Sequence, residues 1–389
     1  MIEFEYWQLL FFPLFFVLGW AAARVDIRHL VKESRALPRS YFQGLNFLLN
    51  EQPDRAIESF VDAVKVDPQT IELHFALGSL FRRRGETERA IRMHQNLVER
   101  DDLAQEIKLQ ALSELGQDYL KAGLLDRAEE VFNRLLDSPR VKEAKRNLLE
   151  IYQLEKDWEK AIAIAAEVPE IASQKEIAEY YCELAAAEMI RSRPEVASGH
   201  LRTALEKNRK CVRASLLQGD IEAQQQHDEE AIACWQRIEQ QDPAYLALVA
   251  QRLLEAFRRL ERRNEGLQLL RGYLERYPSL DLLDVVFQLV LESEGAEAAY
   301  CLVRDELKRN PTLLGFDKLI DARLLVATPE ARPDLDLAKG IVSGYTRRLA
   351  RYRCDNCGFK ARQFYWRCPA CGGWETYSPK RTEEFDLTP

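Results

Sequence analysis

The 389-residue chain reads as an all-α array of paired helices, with an apolar segment at its amino end and a small metal-binding module at its carboxyl end. Three observations predict this. One small residue recurs at a nearly constant interval through most of the chain. Two Cys-x-x-Cys pairs stand close together near the carboxyl end. An 18-residue stretch near the amino terminus, Tyr6 to Ala23, carries Gln8 as its one strongly polar residue.

The recurring residue is Ala56, Ala90, Ala128, Ala161, Ala197, Ala231, Gly266 and Ala299, at intervals of 34, 38, 33, 36, 34, 35 and 33. Helices approach closely only where side chains are short, so each member of this ladder marks the place where the first helix of a pair crosses the second. The neighbours keep the same frame. Gly44, Phe47, Ala56, Phe60, Ala63 and Pro68 follow the Gly, aromatic, Ala, aromatic, Ala, Pro order of a tetratricopeptide repeat. Gly78, Phe81, Ala90 and Leu97 repeat it, as do Gly116, Tyr119, Ala128, Phe132 and Leu135. Pro243 and Pro278 close pairs after Ala231 and Gly266, because proline cannot continue a helix interior. The expected architecture is a tetratricopeptide-repeat superhelix.

Taken in order, Tyr6–Ala23 is long enough to cross a bilayer as a helix, and Trp7 and Trp20 stand where interfacial aromatics belong. Pro13 is tolerated in lipid. Ala21, Ala22 and Ala23 resemble a cleavage site, but Glu3 and Glu5 precede the run with no Lys or Arg, which favours a retained anchor over 1–23. Arg24, Arg28, Lys32, Arg35 and Arg39 all follow it, so the positive-inside rule places the rest of the chain on the cytoplasmic side. Residues 24–39 form a basic juxtamembrane linker suited to anionic headgroups.

The repeat array is expected over 40–344, as about eight to nine helix pairs. Turns such as Arg84-Gly85-Glu86, Ala122-Gly123 and Gln226-His227-Asp228 join the helices, and the interval of 38 puts added residues on a loop near Asp101-Asp102. The pattern weakens after Ala299. Pro311 still ends a pair, and Pro329 and Pro333 interrupt the periodicity that follows, as befits an atypical capping repeat. The five histidines are dispersed without an HExxH pair, and neither a Walker loop nor a GxGxxG motif occurs. The array is therefore read as a scaffold and not an enzyme, with a concave face of first helices suited to a peptide or protein partner.

Residues 345–381 change texture, and an acidic tail follows over 382–389. Cys354-x2-Cys357 and Cys368-x2-Cys371 are separated by ten residues, and each pair makes a knuckle that aims two sulfurs at one point. Gly358 and Gly372 follow the second cysteine of each pair, where the chain must turn. Four sulfurs suit one structural metal ion; zinc is expected, with iron the alternative. A module this small needs the metal in order to fold. Cys182, Cys211, Cys234 and Cys301 are scattered through the repeats and read as buried small hydrophobes in a reducing compartment. The chain carries a net charge of −8, yet Tyr345 to Arg381 alone carry +7, which leaves −15 elsewhere. Tyr352, Phe359, Phe364, Tyr365, Trp366, Trp374 and Tyr377 interleave with these basic residues. The module is expected to dock on the acidic repeats; binding nucleic acid is the weaker alternative.

An apolar anchor, a repeat array and a rubredoxin-like module in this order resemble the lipopolysaccharide assembly protein B family of Gram-negative bacteria. The most specific segments are Tyr41 to Asn50 and Arg351 to Cys371. The resemblance implies a regulator of lipopolysaccharide biosynthesis at the inner membrane. Members act as adaptors through which a membrane AAA+ metalloprotease destroys the lipid A pathway deacetylase. It implies as partners that protease, that deacetylase and other inner-membrane envelope-assembly proteins, with lipid contacted through the anchor.

Overall fold

The computed structural model describes residues 16, 17, 20, 39–50, 52–66, 71–349 and 352–381. Most of the expected anchor and of the basic linker, and the tail after Arg381, lie outside the described residues. Among the described residues, no helix is long and apolar enough to cross a membrane.

Among the described residues the longer helices fall in chain order into nine pairs, beginning at Arg39–Leu49 with Pro53–Val66 and ending at Leu313–Val326 with Arg332–Leu349. They form two compact units, divided between Glu155 and Lys156. In the first, the first helices of successive pairs pack on one another: Ile71–Arg84 on Gln105–Lys121, and that helix on Val141–Glu155. In the second, Gln174–Ile190 packs on Val212–Gln224, and Leu246–Arg259 on Leu280–Glu294. Each unit thus builds one continuous face from its first helices.

All seven ladder alanines are fully buried. Gly266 replaces alanine where Phe257 crowds the site, since a Cβ there would meet the Phe257 side chain at 3.0 Å. Twelve residues before and four residues after the ladder position stand two side chains of complementary size. Gly44 faces Phe60, Gly78 His94, Gly116 Phe132 and Gly219 Trp235; a Cβ on Gly219 would lie 2.3 Å from the indole nitrogen of Trp235. Where the first position holds Leu149, Ala185, Leu254 or Phe287, the second holds Ala165, Leu201, Leu270 or Val303, with no aromatic ring. Close-packed interiors require this exchange of volume. His94 is the polar member of the set. Its Nδ1 lies 2.5 Å from Asp118, and Arg82 bonds Asp118 at 2.7 Å, so the buried ring is tied to the next repeat.

In seven of the nine pairs the turn uses a left-handed residue, five positions before the ladder at Gly85, Gly123, Lys156, Ser192, Gln226 and Glu261, and four before Ala299 at Gly295. The following amide bonds back five residues, as in Glu86 N to Phe81 O at 2.9 Å and Arg262 N to Phe257 O at 2.9 Å, which satisfies carbonyls at the helix end. The longer interval does fall on a loop, between Glu99 and Gln105. Pro333 differs from expectation: it is the second residue of Arg332–Leu349, where its fixed φ and missing N–H suit a helix start, so it opens a helix and does not interrupt one.

Replacing Gly219 with Ala drives a methyl into the Trp235 indole. It is expected to lower unfolding free energy by about 1–3 kcal/mol, the range for overpacking. Urea unfolding of the variant beside the parent measures this, and an unchanged midpoint would refute the close approach.

Candidate metal centre and its docking surface

The module is a three-stranded antiparallel sheet of β1 (Tyr352–Cys354), β2 (Lys360–Ala361) and β3 (Tyr377–Arg381), in the order β2-β1-β3. Tyr352 pairs with Ala361 on one side and Arg381 on the other, and Cys354 faces Tyr377. The two knuckles have one pattern. Gly358 N donates to Cys354 O at 2.8 Å and Gly372 N to Cys368 O at 2.9 Å, with both glycines at positive φ. Cys354 N donates to Phe359 O and Cys368 N to Gly373 O, each five residues ahead. Repeated local bonding of this kind aims each pair of thiols at the same point.

All four sulfurs lie within 4.8 Å of one another. Cys354 Sγ is 3.8 Å from Cys371 Sγ, and Cys357 Sγ is 3.7 Å from Cys368 Sγ. A tetrahedral zinc ion with bonds of about 2.3 Å needs sulfur–sulfur edges of about 3.8 Å, so the spacing fits such an ion. Cys354 and Cys368 are buried, whereas Cys357 and Cys371 reach solvent. Burial pushes the Cys354 thiol up, but the Thr376 hydroxyl at 3.3 Å and the Cys357 and Asn356 amides more than offset this and bring it to about 6. Cys357 goes the other way. The Phe359 amide favours its thiolate, yet partial burial and the neighbouring sulfurs push it up to about 12. Four crowded sulfurs cannot all ionise alone, and a divalent cation removes that conflict.

The segment between β2 and β3, which carries the second knuckle, turns its aromatics onto the second unit's helices. Trp374 meets the edges of Trp158 and Tyr180 at 5.8 and 6.0 Å. Trp366 stacks on Tyr245 at 5.5 Å and 5°, and Phe364 meets the same ring edge-on. The Arg213 guanidinium lies 5.8 Å from the Trp366 ring and 6.0 Å from the Trp374 ring, while bonding Glu179 at 3.2 Å and Glu183 at 2.9 Å. At the far edge Asp281 accepts from Tyr352 Oη at 3.0 Å and pairs with Arg381. The expected docking therefore occurs, but its bulk is aromatic. Phe359 and Tyr365 take no part in these ring contacts: Phe359 stays exposed and Tyr365 packs on Tyr377 inside the module.

The repeat-side residues Glu179, Arg213 and Asp281 were not singled out in the sequence. They share one signal, each lying 18 residues before its own ladder residue, at Ala197, Ala231 and Ala299. Of the scattered cysteines, Cys182 and Cys211 come within 3.7 Å of one another, fully buried beside Glu179. Arg213 holds the Glu179 carboxylate there, and burial pushes the Cys182 thiol far above its usual range, so this group is read as core.

Burial raises the Glu179 carboxyl to about 7 against the opposing pull of Arg213, with nearby Glu375 adding to the rise. The folded chain then keeps this proton to about pH 7, whereas an unfolded glutamate releases it near 4.5. The stability linked to the proton is complete below 4.5 and is lost as pH rises to about 7. The Glu179→Gln variant should show a flatter melting-temperature profile across that window. A profile parallel to the parent's would contradict the assignment.

The family model described as a rubredoxin metal binding domain matches residues 352–379. Tetratricopeptide repeat models match 73–106, 113–176 and 182–245. The lipopolysaccharide assembly protein B of Escherichia coli is 35% identical over 382 residues, covering 96% of this chain and 98% of that protein. The protein of the same name from Haemophilus influenzae is 31% identical over 395 residues, covering 97% and 99%. A repeat array and a four-cysteine module in this order, with similarity along nearly the whole length, place the chain in the lipopolysaccharide assembly protein B family.

Proposed function

We propose that the chain is a membrane-tethered scaffold that regulates lipopolysaccharide biosynthesis by presenting the lipid A pathway deacetylase to a membrane AAA+ metalloprotease. In this reading residues 1–23 anchor it in the inner membrane, 24–39 lie along the cytoplasmic headgroups, 40–344 form the array, 345–381 the metal module and 382–389 a tail. Membership of the family supports the lipopolysaccharide role. The observation that carries the scaffold reading is the contrast between the two first-helix faces. In the second unit Arg213 and Asp281 are engaged by the chain's own module, and Glu179, bonded to Arg213, lies beside the module's Glu375. In the first unit the same positions hold Glu72, Gln110 and Glu143, exposed or half-buried, a polar surface on which a client protein can sit. Tyr352, Phe364, Trp366 and Trp374, four of the module's aromatic rings, are committed to the repeats or the module core, which leaves little stacking surface for nucleic acid.

Cys354, Cys357, Cys368 and Cys371 would hold one zinc ion, which supplies folding free energy and leaves no position open for catalysis. Its loss would release Trp366 and Trp374 from Tyr245, Trp158 and Tyr180.

Depletion of the protein is expected to lengthen the half-life of the deacetylase severalfold in a pulse-chase measurement, and reversal of Glu72 and Glu143 to Lys should do the same without lowering scaffold abundance. An unchanged half-life on depletion removes the adaptor role. For the module, metal analysis of chain purified without chelators should give about one zinc per chain, the stoichiometry of a site closed by four cysteines. Stripping the metal should red-shift tryptophan emission and expose four more titratable thiols. Absence of metal in the intact chain would overturn that part alone.

A further inference from the structure

A second set of metal-ligating atoms converges inside the second unit. Glu179 and Cys182 stand three residues apart on Gln174–Ile190, so both face one side of that helix, and Cys211 immediately precedes Val212–Gln224 of the next repeat. All three are fully buried, and one carboxylate oxygen and the two sulfurs lie within 4.8 Å of one another. Cys182 Sγ is 3.7 Å from Cys211 Sγ, and Cys211 Sγ is 3.6 Å from Glu179 Oε1. Tetrahedral zinc with bonds of about 2.3 Å to sulfur and about 2.0 Å to oxygen has sulfur–sulfur edges of about 3.8 Å and sulfur–oxygen edges of about 3.5 Å. These two distances match them.

The Glu179 carboxylate is divided between two tasks. Its Oε2 accepts from Arg213 Nη1 at 3.2 Å, while Oε1 turns to the sulfurs. A carboxylate that ligates a metal is held in this way, one oxygen on the ion and the other on a hydrogen-bond donor beyond it. Packing alone gives no reason for such a group. Ala185 and Ala204 fill fully buried positions of the same cluster, and a buried ion pair costs more than a well-packed hydrophobic side chain. Charge selects the ion: two thiolates and one carboxylate against the Arg213 guanidinium, three negative charges against one positive, leave −2, which a divalent cation cancels. Glu183, which also bonds Arg213, and the module's Glu375 beside Glu179 add to the negative side.

We infer that Glu179 Oε1, Cys182 Sγ and Cys211 Sγ form a second metal site, for a thiophilic divalent ion such as zinc or cadmium, next to the docked module. In the metal-free chain the three side chains are core. Binding breaks two S–H bonds and forms two sulfur–metal bonds; both protons pass to solvent, with a third from Glu179 where that group is protonated. Three ligands, one of them oxygen, hold the ion more weakly than four thiolates, so this site fills on added metal after the four-cysteine module has its own ion. Arg213 connects the site to the module, because it bonds Glu179 and lies against Trp366 and Trp374.

Cadmium alone is the probe. The full chain in detergent is unfolded in urea and refolded with excess cadmium-113, so that burial of the site does not bar entry. Equilibrium dialysis should then give about two ions per chain, and cadmium resonance two signals of equal intensity, the second displaced to lower frequency because oxygen replaces sulfur around it. Loss of a group that only supports a ligand costs about 10–100-fold in metal affinity, so loss of a ligand costs at least as much. Cys182→Ser, Cys211→Ser and Glu179→Gln should therefore each weaken the second ion by at least about tenfold, while the four-sulfur signal and the helix content by circular dichroism stay as in the parent. Cys234→Ser, outside the group, should keep both signals. One ion per chain in the refolded parent would overturn the inference. So would a second ion that all three variants bind as the parent does, which marks adventitious surface binding, or one that Cys234→Ser also loses.

Discussion

Everything in the array depends on how closely the two helices of a repeat can approach. Alanine at the ladder position, fully buried in seven repeats, removes the side chain at the crossing point, and the pair of positions around it then exchanges volume. A glycine on the first helix admits a ring from the second, as Gly44 admits Phe60 and Gly219 admits Trp235. A larger residue on the first helix meets an aliphatic one on the second. Because the approach is held by volume, the first helices within each unit stack in register and present the same position to that unit's face. Glu179, Arg213 and Asp281 come to one surface for that reason, although 34 and 68 residues separate Arg213 and Asp281 in turn from their neighbours and the sequence between them is unrelated.

That surface receives the module chiefly through aromatic stacking. The opposite net charges of module and repeats suggested an electrostatic dock, and Arg381 with Asp281 supplies one such pair. Elsewhere the sign runs the other way: the repeats contribute a cation, Arg213, to two module indoles, and the module contributes Glu375 near the repeats' Glu179. Long-range charge attraction is screened within about 10 Å at ordinary ionic strength, whereas ring stacking and cation–π contact act at the distances observed. Trp366 and Trp374 flank the second knuckle, Cys368 to Cys371, so the geometry at four sulfurs bears on the packing of helices that contain none of them.

Using one first-helix face internally divides the labour of the array. The second unit's face is engaged by its own carboxyl-terminal module, while the first unit keeps polar residues at the equivalent positions. The last helix adds a different kind of surface, an exposed apolar ridge of Leu337, Ile341 and Tyr345.

The repeats and the four-cysteine cluster were legible in the sequence because both are local. The ladder follows from helix crossing within some 34 residues, and each Cys-x-x-Cys knuckle closes within five. The left-handed conformation at four of the seven turns was not legible, since Lys156, Ser192, Gln226 and Glu261 adopt a backbone that sequence reading assigns to glycine, although the turn at Gln226-His227-Asp228 was itself expected. There the backbone bonds of the turn outweigh the local steric cost. Nor was Pro333 legible as a helix start, because a proline opens or breaks a helix according to where the preceding helix ends. Only the tertiary structure decided which rings of the module face the repeats, which repeat residues meet them, and which face of the last helix is left open. Those outcomes depend on the stacking of residues far apart in the chain, where no local spacing rule applies, whereas the fold of each repeat and the convergence of the cysteines are set within a few turns of backbone.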